Sequence, residues 1–132
     1  MDDERFVQTY LKINWKKIFP NSFHLLGTDW AISGCYSQKR IGLADFMFRV
    51  GKNYYACEMK WNKDECVLNS LKAIGYAKSN QLATGKTTHP VAIIPKEWFT
   101  NDIRALFYEI GLKYILVCRN VDGFFVEYDL GR

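Results

Sequence analysis

The sequence predicts an α/β domain from three observations. Residues 3 to about 19 have the apolar spacing of an amphipathic helix. Residues 44–61, ADFMFRVGKNYYACEMKW, read as two apolar strands around a Gly51-Lys52 turn. Beyond them helical and strand patterns alternate to the end of the chain. The predicted order is α, β, β, β, α, β, α, β, β.

The first helix rests on Val7, Leu11, Trp15 and Ile18, with Phe6 and Tyr10 alongside, and Pro20-Asn21 stops it. Between 22 and 43, the apolar pieces Phe23 to Leu26 and Trp30 to Ile32 predict one strand, followed by the polar loop Ser33 to Arg40. The hairpin at 44–61 comes next. Asp64 or Asn62 then caps a helix from about 66 to 84, with Val67, Leu68, Leu71, Ile74 and Leu82 expected on its inner side and Gly85 ending it. Val91 to Ile94 is a short buried strand. Asn101 is the expected cap of a third helix carrying Ile103, Leu106, Phe107 and Ile110, stopped by Gly111. Strands Tyr114 to Cys118 and Phe124 to Tyr128 flank an Asp122-Gly123 turn.

Composition bounds the functions open to the chain. Its 132 residues, 48% of them hydrophobic, suit one domain over 1–132 with its own core. No run approaches the roughly 18 apolar residues of a membrane span, and the start, MDDERF, lacks a basic and apolar leader. A soluble, intracellular, cytoplasmic protein with no membrane partner is expected. Cys35, Cys57, Cys66 and Cys118 show no CxxC spacing and read as reduced. With only His24 and His89, a zinc site or histidine triad has little to draw on. The net charge of +4 tolerates a polyanionic partner without requiring one. Gly85-Lys86-Thr87 echoes a phosphate-binding loop, but it leaves a helix for a strand, the reverse of the required order, so no nucleotide cofactor is expected.

The hairpin register carries the chemistry. If Val50 pairs with Asn53, Asp45 falls opposite Glu58, and a four-residue loop closed by Arg49 and Tyr54 keeps the same register. Like charges at directly opposed positions destabilise a strand pair. Lys60 shares their face by strand periodicity, while Cys57, Met59 and Trp61 point the other way. Two acids and a lysine therefore converge.

An Asp in one strand and Glu-x-Lys in the next, inside an α-β-β-β-α-β frame over residues 3 to 95, resembles the PD-(D/E)XK nuclease superfamily. That superfamily includes many restriction endonucleases, and its archaeal Holliday-junction-resolvase-like members are nearest in size and layout. Ala44 stands where that pattern has proline. The resemblance implies a restriction-endonuclease-like αβββαβ core with a mixed central sheet flanked by helices, plus a C-terminal helix and two strands. It also implies a metal-dependent nuclease that hydrolyses DNA, with Asp45, Glu58 and Lys60 catalytic. Asp45, Glu58, the Met59 backbone carbonyl and Glu4 on the first helix become ligands of Mg2+, with Mn2+ as substitute. Hard carboxylate and carbonyl oxygens suit that ion. Ser37, Lys39, Arg40, Lys63, Lys72 and Gln81 become candidate nucleic-acid contacts. A single site would need a homodimer or two visits to cut two strands.

Other readings compete. The acid pair and lysine could be a polar sheet face with an ordinary surface ion pair, worth about 0–1 kcal/mol. The whole chain could be a non-catalytic nucleic-acid-binding module, or an interaction protein. Asp45, flanked by Ala44 and Phe46-Met47-Phe48, sits among residues atypical of a solvated strand face.

Overall fold

The computed structural model describes residues 4–61, 67 and 70–131. Its elements are α1 (Glu4–Ile13), α2 (Trp15–Ile18), β1 (His24–Ser33), β2 (Arg40–Val50), β3 (Asn53–Met59), α3 (Lys72–Thr84), β4 (Thr88–Pro95), a 3-10 turn (Lys96–Trp98), α4 (Asn101–Ile110), β5 (Lys113–Asn120) and β6 (Gly123–Asp129). All six strands form one sheet in chain order. The hairpin-linked pairs β1–β2, β2–β3 and β5–β6 are antiparallel. The pairs β3–β4 and β4–β5 are parallel, because α3 and α4 carry the chain back across the sheet between them. The mixed sheet and the α-β-β-β-α-β order expected from the sequence are both present.

Helices cover both faces of the sheet. On one, Val7 and Leu11 of α1 and Trp15 of α2 bury against Phe46, Phe48, Cys57, Met59, Val91, Ile93 and Ile115. On the other, α3 and α4 pack Ala73 and Phe107 onto Ala92, Ile94 and Leu116, and Ala77 onto Ile32, Ala44, Met47 and Ala56. Cys57, Met59 and Trp61 lie with the first layer, as strand periodicity required. Gly85 and Gly111 end α3 and α4 in the left-handed conformation that glycine tolerates.

Several local expectations differ. The first helix breaks at Asn14, whose backbone leaves helical geometry while its side-chain amide donates to the Tyr10 carbonyl. Such local bonds compete with the helical ladder. The inner side of α3 consists of Ala73, Ala77 and Asn80, whereas Leu82 is 73% exposed and Leu71 is also exposed. Alanines let this helix lie close on the sheet, where leucines would hold it off. Thr100, rather than Asn101, caps α4 through its hydroxyl, which accepts from the Ile103 N–H at 3.2 Å. β2 begins at Arg40, so residues 40–43 are strand and the preceding loop is shorter than expected. β4 begins at Thr88, so His89 sits in a strand rather than a loop. Asn62, Lys63, Asp64, Cys66 and Leu68 lie outside the described residues.

Candidate active site

The β2–β3 hairpin has the register read from the sequence: Val50 pairs with Asn53, and the ladder continues to Phe46 with Cys57. Gly51 adopts φ +60 at the first turn position, as a two-residue turn of this type requires. The next positions along this register are Asp45 and Glu58. There the ladder ends: the Asp45 side chain, not a β2 carbonyl, accepts the Met59 N–H at 2.6 Å. The two strands fork at this point. Because N–H and C=O of one strand residue project to the same edge, the Met59 carbonyl faces the same gap.

Beyond the fork β2 stays paired with β1, and both strands change face together. Ala44 and Met47, three residues apart, both pack toward α3, while Phe46 faces the α1 layer. Across from Asp45 in the register, Asp29 takes a left-handed φ of +48. The Gln8 side-chain amide on α1 donates to the Asp45 carbonyl at 3.2 Å and lies 3.5 Å from Asp29 Oδ1. One side chain thus fixes the backbone of Asp45 from α1, while the Met59 N–H fixes its carboxylate.

Glu58 is 6% exposed, and its Oε2 is buried with no hydrogen-bond donor. Lys60 Nζ is 3.9 Å from its Oε1. Burial, followed by the charge of Asp45, pushes the Glu58 carboxyl up to about 8, against the opposing pull of Lys60 and Lys72. Asp45 is also raised, chiefly by burial. The Met59 N–H lowers it and the Glu4 charge raises it again. Burial and the neighbouring charge thus make both carboxyls harder to ionise, Glu58 above all. Burial and the charges of Glu58 and Asp45 also push up the Tyr76 hydroxyl. The Tyr76 ring lies on Gly42, where any Cβ would collide with it.

The structure brings Asp45, Glu58 and Lys60 together, and Lys72, at the start of α3, stands near enough for its charge to act on Glu58. Glu4 stands near enough for its charge to act on Asp45, while its Oε1 accepts the Trp61 N–H at 3.0 Å. Among the described residues, no three His, Cys, Asp or Glu side chains form a ready metal cluster. The oxygens available are those of the acid pair and the Met59 carbonyl, with Glu4 alongside. Ser37, Lys39 and Arg40 occupy the far end of the β1–β2 hairpin. Gln81 is a correction: its side-chain carbonyl accepts the Thr88 N–H at 3.0 Å, at the start of β4. Thr88 pairs with Tyr54, four residues up β3 from Glu58, so Gln81 closes α3 onto β4 away from the acids.

Gln8 and Asp29 were not read from the sequence as site residues. Gln8 has a usable signal, since it follows Glu4 by one helical turn and shares its face. Tyr76 stands in the same i, i+4 relation to Lys72, and both address the acids.

No protein-family model matches the sequence, and no curated protein does. A crystal structure of a repair endonuclease from Pyrococcus abyssi superposes with a TM-score of 0.61 at 15% identity, over 86% of this chain and 46% of that one. The chain has a restriction-endonuclease-like fold. It spans less than half the length of that endonuclease, and at this identity the likeness concerns the fold alone. Among the described residues, no helix is long and apolar enough to cross a membrane.

Proposed function

We propose that the protein is a metal-dependent nuclease of the PD-(D/E)XK type, hydrolysing phosphodiester bonds in DNA. The observation that carries this reading is the fork itself. Two carboxylates of opposed strands are pressed together in a largely buried notch, and one oxygen of Glu58 has no donor. A polar sheet face would orient such groups to water, where desolvation does not penalise them. The fold likeness to a repair endonuclease is consistent with the reading.

A divalent cation fits the residues present. Asp45 and Glu58 supply hard anionic oxygens, the Met59 carbonyl a neutral one, and the partnerless Glu58 Oε2 lacks only a positive charge or a donor. Magnesium, or manganese in its place, would be held by these groups, with the charge of Glu4 acting alongside. When bound, such an ion supplies a water of lowered pKa and offsets charge developing on the phosphate. The chain itself does the rest. Lys60 steadies a phosphate oxygen or orients the attacking water. Lys72 adds positive charge from the start of α3, and Gln8 holds the Asp45 backbone in register.

One acid pair serves one strand, so cutting two strands requires a second copy of the chain or a second visit. The rival is a binding module that keeps the fold without the chemistry. Incubation with plasmid, single-stranded and branched DNA in magnesium, manganese or chelator separates the two. Cation-dependent cleavage is expected, abolished by Asp45→Asn and by Glu58→Gln with the fold intact. Cleavage that survives either substitution or chelator defeats the proposal.

A further inference from the structure

Past the fork at Asp45, the β1–β2 hairpin continues as a two-stranded arm, with Trp30 paired to Ala44, Ile32 to Gly42 and Ser33 to Arg40. At its tip Tyr36 is 99% exposed. The tip is built rather than loose. The Gly34 N–H donates to the Lys39 carbonyl at 2.9 Å, the Gln38 N–H to Gly34 at 3.1 Å, and the Gln38 side chain to Cys35 at 3.0 Å. Gln38 is thereby held at φ +60. Lys39 and Arg40 are exposed beside the tyrosine.

The arm is also clamped. Tyr76 packs on Gly42, and the Ser79 hydroxyl of α3 donates to the Ser33 carbonyl at 3.1 Å. Helix α3 therefore fixes the arm relative to the acid pair, so little ordering remains to be done on binding. On the face turned from α3, Ile41 is 57% exposed and Leu43 is exposed beside it. Counting strand rise from Asp45, the tip stands roughly 20 Å from the acids. That is about six stacked nucleotides.

We infer that this arm is a recognition element for an unpaired stretch of nucleic acid, with Tyr36 as the platform on which an exposed base stacks and Lys39 and Arg40 as its phosphate contacts. The inference rests on the nuclease reading of the acid pair, which supplies the reason for a nucleic acid to lie along the arm. The chemistry selects the partner. An aromatic ring stacks on a base face, duplex bases hide their faces from it, and the flanking cations match a phosphate backbone. The preferred substrate is therefore single-stranded, tailed or branched, with unpaired nucleotides displaced from the cleaved bond toward the arm.

The test is equilibrium binding in chelator, read by fluorescence anisotropy on labelled oligothymidylate, on blunt duplex, and on duplex with a single-stranded tail. Wild type, Tyr36→Ala and Tyr36→Trp are compared; Tyr36 is exposed, so both variants should fold. Tyr36→Ala should weaken binding of the single-stranded and tailed ligands at least about fivefold while blunt duplex changes by less than about twofold, and Tyr36→Trp should retain wild-type affinity. Equal loss on all three ligands, no loss on any, or no binding by the wild type overturns the inference. Chelator separates this from catalysis. A wild type that stacks through Tyr36 yet never cleaves with any cation defeats only the nuclease reading, and one that cleaves with no contribution from Tyr36 defeats only this one.

Discussion

The raised pKa of the buried Glu58 carboxyl gives the cation-free protein a pH dependence with a definite sign. In the unfolded chain Glu58 titrates near 4.5, and in the folded protein burial and Asp45 move it to about 8. The folded state therefore binds the extra proton. Its contribution is fully present below pH 4.5, declines as pH rises, and is gone above about 8. The full displacement corresponds to about 5 kcal/mol, and water at the open side of the notch reduces this to about 2 kcal/mol. For a chain of this length that is a change of roughly 8 °C in melting temperature. Glu58→Gln is the informative perturbation, because an amide keeps the shape of the neutral acid and cannot ionise. Thermal melts of wild type and Glu58→Gln in chelator, from pH 5 to 8.5, should run close together at the acid end and diverge by about this amount at the alkaline end, with the variant the more stable. His89, whose pKa burial lowers, acts in both proteins and cancels in the difference. Millimolar magnesium or manganese should close the gap from the wild-type side, since a cation replaces the proton and a ligand of the folded state stabilises by mass action. Parallel curves in chelator would refute the reasoning, and so would an equal cation-induced shift in the variant.

Two further outcomes follow from the supports of the site. Gln8→Ala removes the donor to the Asp45 carbonyl and should cost about 1 kcal/mol in denaturant unfolding. It should also reduce the cation-induced rise in melting temperature; an unchanged rise would mean that Gln8 plays no part in placing Asp45. Ala77→Leu overfills the contact of α3 with the sheet and should cost about 1–3 kcal/mol. If it instead stabilised the protein, α3 would not be held close by its small residues.

What the sequence discloses divides by the range of the interactions involved. The convergence of Asp45, Glu58 and Lys60 follows from one local fact, a glycine turn of fixed length. Side-chain direction alternates with a period of two, so a register once fixed places every opposed pair. Helix ends at Gly85 and Gly111 were legible for the same local reason. The inner face of α3 was not. A search for large apolar residues selects Leu71 and Leu82, whereas the packed face is alanine because the sheet beneath presents Ala56 and Ala92 at close approach. That choice depends on residues brought together only by folding. Gln81 shows the same gap from the other side: its polarity suited a ligand contact, but the Thr88 N–H at the start of β4 needed an acceptor. The paired change of face at Asp29 and Asp45 is further from reach still, since neither residue type demands it and only the pairing of the two strands places the carbonyl that Gln8 completes. These long-range features carry chemical weight. They turn two opposed acids into a fork with a buried, donorless oxygen, and α3, docked by alanines, brings Lys72 and Tyr76 over it. The motif names the acids and the lysine, and the packing of α1 and α3 sets the electrostatics around them.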